Sequence, residues 1–283
     1  MEANKLYARL EKDFIKSGLS DDWASHMEEV RDFLSENFKE RSMGLVCDFA
    51  EKIDYVFSAV FPSDNVLEKI LATGKRDAML FVHHPSIWDI RKAPKVFQQM
   101  NRDLLEKLKE RRISIYNLHV PLDNFGEYST GVTLSKKLGL TSLKPCIPYY
   151  GSLAGVIGKS PYESVQELQS AFQKVVGHAV KLYQYGDEKI AGRKVIVVAG
   201  GGNDEDLLKE VISLGINTVV TGISSRNPHS ESTHAYEERE KINVLGGTHY
   251  STEKFACQAM CDYFKKLGLD SSFIEDDPVM EDE

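Results

Sequence analysis

The stretch Ala78–Pro85, Ala-Met-Leu-Phe-Val-His-His-Pro, constrains this chain more than any other. Five apolar residues with no turn former among them predict a short buried strand. Pro85 cannot continue a central ladder and biases His84 towards extended backbone, so two imidazoles stand where the strand runs out. Side chains alternate along a strand, so His83 and His84 start on opposite faces. They converge only if the chain turns, or they serve two adjacent sites, a geometry that suits two neighbouring metal ions. The competing reading is a histidine pair that caps a loop and hydrogen-bonds to backbone.

Two later stretches repeat the device. Ser114–His119, Ser-Ile-Tyr-Asn-Leu-His, reads as a short strand ending in histidine, with Asp123 four positions on. Ile242–His249, Ile-Asn-Val-Leu-Gly-Gly-Thr-His, is again strand-like, and Glu253 follows at the same spacing. Residues four apart share a helix face, so each histidine and its carboxylate can point at one ion. A single H-x-x-x-[DE] is common. Two of them on strand ends, together with His83 and His84, form a constellation.

Composition narrows the classes. At 283 residues and 42% hydrophobic, the chain can build one large core or two modest ones. No run approaches the roughly 20 apolar residues of a membrane span. The opening Met-Glu-Ala-Asn-Lys-Leu lacks the pattern of a secretory signal, so cytoplasmic placement is the expectation. Cys47, Cys146, Cys257 and Cys261 form no C-x-x-C pair and read as reduced thiols. A formal net charge of −8 argues against a nucleic-acid surface, which needs clustered cations. Part of that charge lies in residues 275–283, a tail too acidic to pack and expected to be mobile.

Residues 1–40 predict two amphipathic helices broken near Ser17-Gly18 and Ser20-Asp21, with Trp23 and His26 as packing residues. Strand 52–61, a helix from Pro62-Ser63-Asp64, strand 78–82, a helix over 93–111 and strand 113–118 make β-α-β units and a mainly parallel sheet. A helix over 128–140 and a turn-rich connection over 145–151 follow. The later part reads as strand 152–158, helix 164–176, strands 181–185 and 193–199, a glycine turn into helix 204–214, and strand 218–221. The order of elements in the two halves suggests an internal duplication. The run Gly200-Gly201-Gly202-Asn203 fits neither phosphate-loop pattern, because Asp204 follows directly; it reads as a tight turn that lets a helix approach the sheet.

Several of these residues carry a resemblance: His83-His84-Pro85, His119-Val-Pro-Leu-Asp123-Asn124 with Gly131 and Leu138-Gly139-Leu140, Gly151 to Gly158, Ala199 to Gly202, Thr221-Gly222, and Gly247-Thr-His249-Tyr-Ser-Thr-Glu253. Together they resemble the NIF-three-like family, whose bacterial members are known as GTP cyclohydrolase I type 2, from about Gly44 to Leu269. The first forty residues match poorly. The resemblance implies an α/β class, duplicated α/β units with two mixed sheets, and a dinuclear metal cleft between the halves. It divides the chain into a first repeat with N-terminal helices (1–145), a second repeat intertwined with it (146–274) and the tail. It also implies a homohexamer. The family's metal ligands fall on His83, His84, Asp123, His249 and Glu253, with His119 in a histidine position beside them, and Glu253 as the carboxylate bridging both ions and the catalytic candidate. Ile223 stands where the family usually has an acidic residue, and a polar insert, residues 224–240, follows it.

Nitrogen and oxygen ligands without thiolate suit two divalent ions per chain, Zn, Mn or Fe. The expected activity is metal-dependent hydrolysis of a nucleotide or phosphorylated small molecule. His229 and His234, within the insert, are acid or base candidates by type, although a solvent-exposed role is the plainer expectation for each. A non-catalytic scaffold or protein-interaction factor stabilised by metal is the alternative from another class, and metal storage or delivery a third.

Overall fold

Ala78–Val82 is a strand with all five side chains buried, as expected where helices cover both faces of a parallel sheet. The computed structural model describes residues 1–283, apart from the side chain of Asp206. In chain order the elements begin with α1 (Ala3–Phe14), α2 (Glu36–Arg41), β1 (Gly44–Cys47), β2 (Tyr55–Ala59), α3 (Asp64–Ala72), β3 (Ala78–Val82), β4 (Ile87–Trp88) and β5 (Phe97–Gln98). There follow α4 (Arg102–Glu110), β6 (Ile113–Asn117), α5 (Val120–Asp123), α6 (Thr130–Lys137), β7 (Thr141–Tyr149), β8 (Ser152–Lys159), α7 (Val165–Val176) and β9 (Lys181–Tyr183). The last are β10 (Lys194–Val198), α8 (Glu205–Ser213), β11 (Thr218–Thr221), α9 (Glu231–Glu240), β12 (Asn243–Gly246), α10 (His249–Lys266) and β13 (Asp270–Phe273).

Two compact units result, and their segments interleave along the sequence. The first comprises Met1–Leu122, Tyr150–Ser152 and Ala256–Asp277; the second comprises Asp123–Tyr149, Leu153–Phe255 and Pro278–Glu283. This division differs from contiguous halves at 1–145 and 146–274.

The first unit holds a mixed sheet in the order β1-β6-β3-β2-β13. Its strands β6, β3, β2 and β13 are parallel, and β1 is antiparallel to β6. Phe57, Leu80 and Ile115 face a core shared with Leu67 and Ile70 of α3 and Leu105 and Leu108 of α4. On the other face Phe81 meets Phe264 edge-on at 5.6 Å. Strand β13 escapes sequence reading because Asp-Ser-Ser-Phe offers no apolar run; it is a half-exposed edge strand.

The second unit holds a mixed sheet in the order β7-β8-β10-β11-β12-β9, with β10, β11 and β12 parallel. Alternation along its central strands is explicit. Val195, Val197, Val220 and Leu245 pack with Leu168 and Phe172 of α7, whereas Ile196, Val198, Val219 and Val244 pack with Leu207, Leu208 and Val211 of α8. Period-two residues thus serve two separate cores.

Helix α7 starts where its cap predicts. The Ser164 hydroxyl accepts the Glu167 N–H at 3.2 Å, and the Glu167 carboxylate accepts the Ser164 N–H at 3.1 Å, a reciprocal capping box. Ser164→Ala is expected to destabilise the protein by about 1 kcal/mol, read as a lower urea midpoint at unchanged slope; an unchanged midpoint would show that the Glu167 half suffices.

Three expectations are corrected. The second N-terminal helix is replaced by 3₁₀ turns at Trp23–His26 and Glu28–Phe33 before the short α2. The helix expected from 93 begins only at Arg102, capped by the Asn101 side chain, because β5 and Pro94 occupy the preceding residues. The connection 145–151 is largely strand: β7 lies at a sheet edge, where Pro145 and Pro148 leave no interior ladder donor missing. Among the described residues no helix is long and apolar enough to cross a membrane.

Candidate metal centre

In the first unit, three histidines gather at the ends of adjacent parallel strands. Beyond β3 the chain stays pinned to the continuation of β2: the His83 N–H donates to the Ala59 carbonyl at 3.3 Å and the His84 N–H to the Val60 carbonyl at 2.9 Å. His119 follows β6 by two residues, and the Leu118 N–H donates to the Val82 carbonyl at 3.2 Å. Although adjacent strand residues start on opposite faces, the rings come together once the ladder ends. The His83 and His84 rings lie 4.4 Å apart, His84 and His119 4.8 Å, and His83 and His119 5.3 Å. One ligand atom from each of His83, His84 and His119 lies within 4.8 Å of the others, and all three residues are buried.

Hydrogen bonding decides which nitrogen is available. His83 Nδ1 stands 3.0 Å from the Leu118 carbonyl. A carbonyl only accepts, so Nδ1 carries the proton and Nε2 keeps the lone pair a cation needs. The Asn117 amide donates to the His83 carbonyl and fixes the backbone from the other side. His84 is held between Phe61, stacked at 4.8 Å, and Trp23, edge-on at 5.4 Å.

The second unit holds a histidine–carboxylate pair of its own. Strand β12 runs into Gly246-Gly247, where side chains are excluded: a Cβ on Gly246 would overlap the Ser224 hydroxyl, and one on Gly247 the Phe172 ring. Thr248 then takes a left-handed φ of 60° and α10 begins at His249. The Thr248 hydroxyl accepts the Ser251 N–H at 3.3 Å, and an Asp282 carboxylate oxygen accepts the His249 N–H at 2.9 Å. Both satisfy amides that a helix N-terminus leaves open, and the anion suits the dipole. One turn on, Glu253 Oε1 stands 3.1 Å from His249 Nε2, the contact expected of i, i+4 residues. Both are buried.

The glycine run is a turn, and it serves this pair. Gly200 has a φ of +72°, and a Cβ there would overlap the Glu253 carboxylate and approach His249 Nε2 to 3.0 Å. Its N–H donates to the Thr252 hydroxyl at 3.0 Å, and its carbonyl accepts from the Gly222 and Ile223 amides at 3.0 and 2.9 Å. Asp204 then caps α8 by accepting the Leu207 N–H at 2.9 Å. The Thr221-Gly222 turn thus belongs to the same support.

Asp123 ends α5 and is buried, with its Oδ1 accepting from the Thr130 hydroxyl at 2.7 Å. The insert histidines divide. His229 is exposed. His234 is fully buried, contrary to the solvent-exposed expectation: its Nδ1 lies 2.8 Å from Glu237, itself fully buried, and its Nε2 3.1 Å from the Ser224 carbonyl. Nε2 ties α9 to the Ser224 carbonyl, while Nδ1 faces Glu237 on the same helix and the Tyr185 hydroxyl at 3.1 Å. The acidic tail, expected to be mobile, is held at both ends: Asp276 accepts from the Ser63 hydroxyl and the Asn65 amide at 2.6 and 2.8 Å in the first unit, and in the second Asp282 is 1% exposed with its carbonyl accepting from the Ser224 and Ser225 amides at 2.7 and 2.8 Å.

Sequence reading anticipates that His83, His84 and His119 gather and that His249 faces Glu253, but gives Asp21, Trp23, Gly200 and Asp282 no role beside them. Asp21 and Asp282 come from segments outside every motif, and only the structure brings them to His119 and His249. The donor set fits a divalent cation. Three imidazoles gather in one unit and a histidine–carboxylate pair lies in the other, while Cys47, Cys146, Cys257 and Cys261 are buried thiols outside any disulfide.

Comparison with known proteins agrees with the motifs. The sequence profile of Duf34/NIF3 (NGG1p interacting factor 3) matches residues 21–278. A curated relative from Pyrococcus horikoshii, GTP cyclohydrolase 1 type 2 homolog, is 29% identical over 239 residues, covering 82% of this chain and 88% of its own. The solved structure of protein ybgI, of unknown function, superposes with a TM-score of 0.77 at 21% identity, covering 99% of this chain and 100% of that one. Reduced HcgD from Methanocaldococcus jannaschii superposes at 0.68 and 22% identity, with 98% of each chain covered. With the profile spanning nearly its whole length, the chain belongs to the Duf34/NIF3 family.

Proposed function

We propose that the chain is a metal-dependent hydrolase acting on a nucleotide or a phosphorylated small molecule. In this reading His83, His84, His119, Asp123, His249 and Glu253 hold two divalent ions, with Zn, Mn or Fe the best suited to nitrogen and oxygen donors. The observation that carries it is the buried histidine trio, with ligand atoms within 4.8 Å of one another. A cation can accept several imidazole lone pairs at once, and three imidazoles gathered in so small a buried space suit one.

When bound, two such ions supply concentrated positive charge and Lewis acidity for hydrolysis. The chain's own residues orient the donors. The Leu118 carbonyl fixes the His83 tautomer. Gly200 confines the Glu253 carboxylate, and Thr252 ties that helix turn to the Gly200 amide. Six ligands would not fill the shells of two six-coordinate ions, and positions left to water would favour catalysis over a closed structural site. The name carried by the Pyrococcus relative supports a nucleotide as the first substrate to try. A cytoplasmic homo-oligomer, a hexamer by family resemblance, belongs to the same proposal and is tested by light scattering.

The deciding experiment measures the metal content of protein purified without added metal, with turnover of GTP and a phosphoester panel by wild type and Glu253→Gln. About two ions per chain are expected, and the variant, which keeps its shape and loses one charge, is expected to lose on the order of 10²-fold or more in turnover. Full metal without turnover on any substrate would favour a metal-stabilised scaffold; no metal after reconstitution would remove the assignment.

A further inference from the structure

The N-terminal segment reaches into the histidine trio. Two of its residues compete for one atom. Asp21 Oδ2 lies 2.9 Å from His119 Nδ1, and the Trp23 indole N–H points at the same Nδ1 from 2.9 Å. The Asp21 side chain is only 1% exposed and that of His119 10%. The contact is therefore a built one, away from bulk water. The same Asp21 oxygen lies 3.5 Å from the Val120 amide, which helps hold the carboxylate in place.

A neutral imidazole nitrogen has either a proton or a lone pair, so it answers one of these two neighbours at a time. If Nδ1 accepts from Trp23, the proton sits on Nε2 and that nitrogen cannot ligate a cation. If Nδ1 donates to Asp21, Nε2 is left with its lone pair. A hydrogen bond to an ionised acceptor is roughly twice as strong as a neutral one, and burial strengthens it further, so the carboxylate prevails.

We propose that Asp21 is a positioning residue for the histidine trio: its carboxylate holds His119 in the Nδ1–H tautomer, which presents Nε2 to a divalent cation, while the Trp23 indole favours the opposite tautomer. The metal-binding consequence rests on the function proposed above; the tautomer assignment does not. The role parallels that of the Leu118 carbonyl at His83, with a charge in place of a dipole.

Two measurements test it on the full chain. In metal-free protein, nitrogen NMR of the histidine rings is expected to show His119 protonated at Nδ1, and Asp21→Asn to move population to Nε2–H. In cobalt(II) titrations, Asp21→Asn is expected to weaken binding by about 10 to 100-fold, the usual cost of losing a partner behind a metal-ligating histidine. Asp22→Asn, the same change at the neighbouring exposed carboxylate, which meets the Tyr150 hydroxyl at 3.2 Å, is expected not to weaken it. Unchanged tautomer and unchanged cobalt affinity in Asp21→Asn would overturn the inference, as would equal weakening by both variants, which would mark a general effect of charge in this segment. Should wild type bind no cobalt, the function proposed above would fail, and the tautomer experiment would still decide the role of Asp21.

Discussion

Gly200→Ala is expected, on the function proposed above, to remove metal from the His249–Glu253 pair and to lower turnover by on the order of 10²-fold or more, the scale set by displacing a reacting group by about an ångström. The argument is steric. A Cβ at Gly200 would overlap Glu253 Oε1, and the neighbouring His249 Nε2 at 3.0 Å blocks one direction of escape. Glu253 must therefore rotate away or the turn must open. Opening the turn also breaks the bonds that bind the Gly200 carbonyl to the Gly222 and Ile223 amides. A φ of +72° adds about 1 to 2 kcal/mol of backbone cost for any residue with a Cβ. Metal content per chain and turnover are the measurements. Full retention of both would show that the carboxylate has room this geometry denies it, and that Glu253 is not held by the turn.

Phe172→Ala is expected to destabilise the second unit by about 3 to 5 kcal/mol, the usual cost of truncating a buried aromatic. Phe172 is fully buried in the core lined by Leu168, Val195, Val220 and Leu245. Its ring also occupies the space a side chain at Gly247 would need, so it packs against the turn that launches His249. Against a typical total of about 5 to 15 kcal/mol, such a loss is large. Urea unfolding followed by far-UV circular dichroism is the check. A shift below about 1 kcal/mol would mean that the glycine turn collapses into the cavity. In that case a fall in metal affinity at His249 would expose the rearrangement.

Much of the architecture was legible because local rules and tertiary demands agree. Ala78–Val82 is apolar and free of turn residues, and it is a buried strand. Ser164 and Glu167 announce the start of α7, and Gly177, with a φ of 90°, closes it. Agreement fails where context overrides composition. Pro145 and Pro148 read as a turn, but an edge strand tolerates them. Asp270–Phe273 carries no apolar signal, yet β2 gives it a ladder. At the candidate site, the gathering of His83, His84 and His119 and the facing of His249 and Glu253 were legible through strand ends and a four-residue spacing. Their supports were not, since Asp21 lies 98 residues from His119 and Asp282 lies 33 from His249. His234 misleads for the same reason: its polar surroundings in sequence do not reveal the carboxylate and carbonyl that bury it.

The aromatic wall beside the histidine trio has an optical consequence. The chain contains two tryptophans, and Trp23 and Trp88 both meet Phe97 edge-on, at 5.0 and 5.2 Å. Trp23 in addition touches His84 and His119, each at 5.4 Å. Intrinsic fluorescence is therefore a local reporter of the first unit's histidine neighbourhood and has no tryptophan donor in the second. Emission and ellipticity should separate whenever the units melt apart, and a cation entering the trio should announce itself in the indole spectrum without any label.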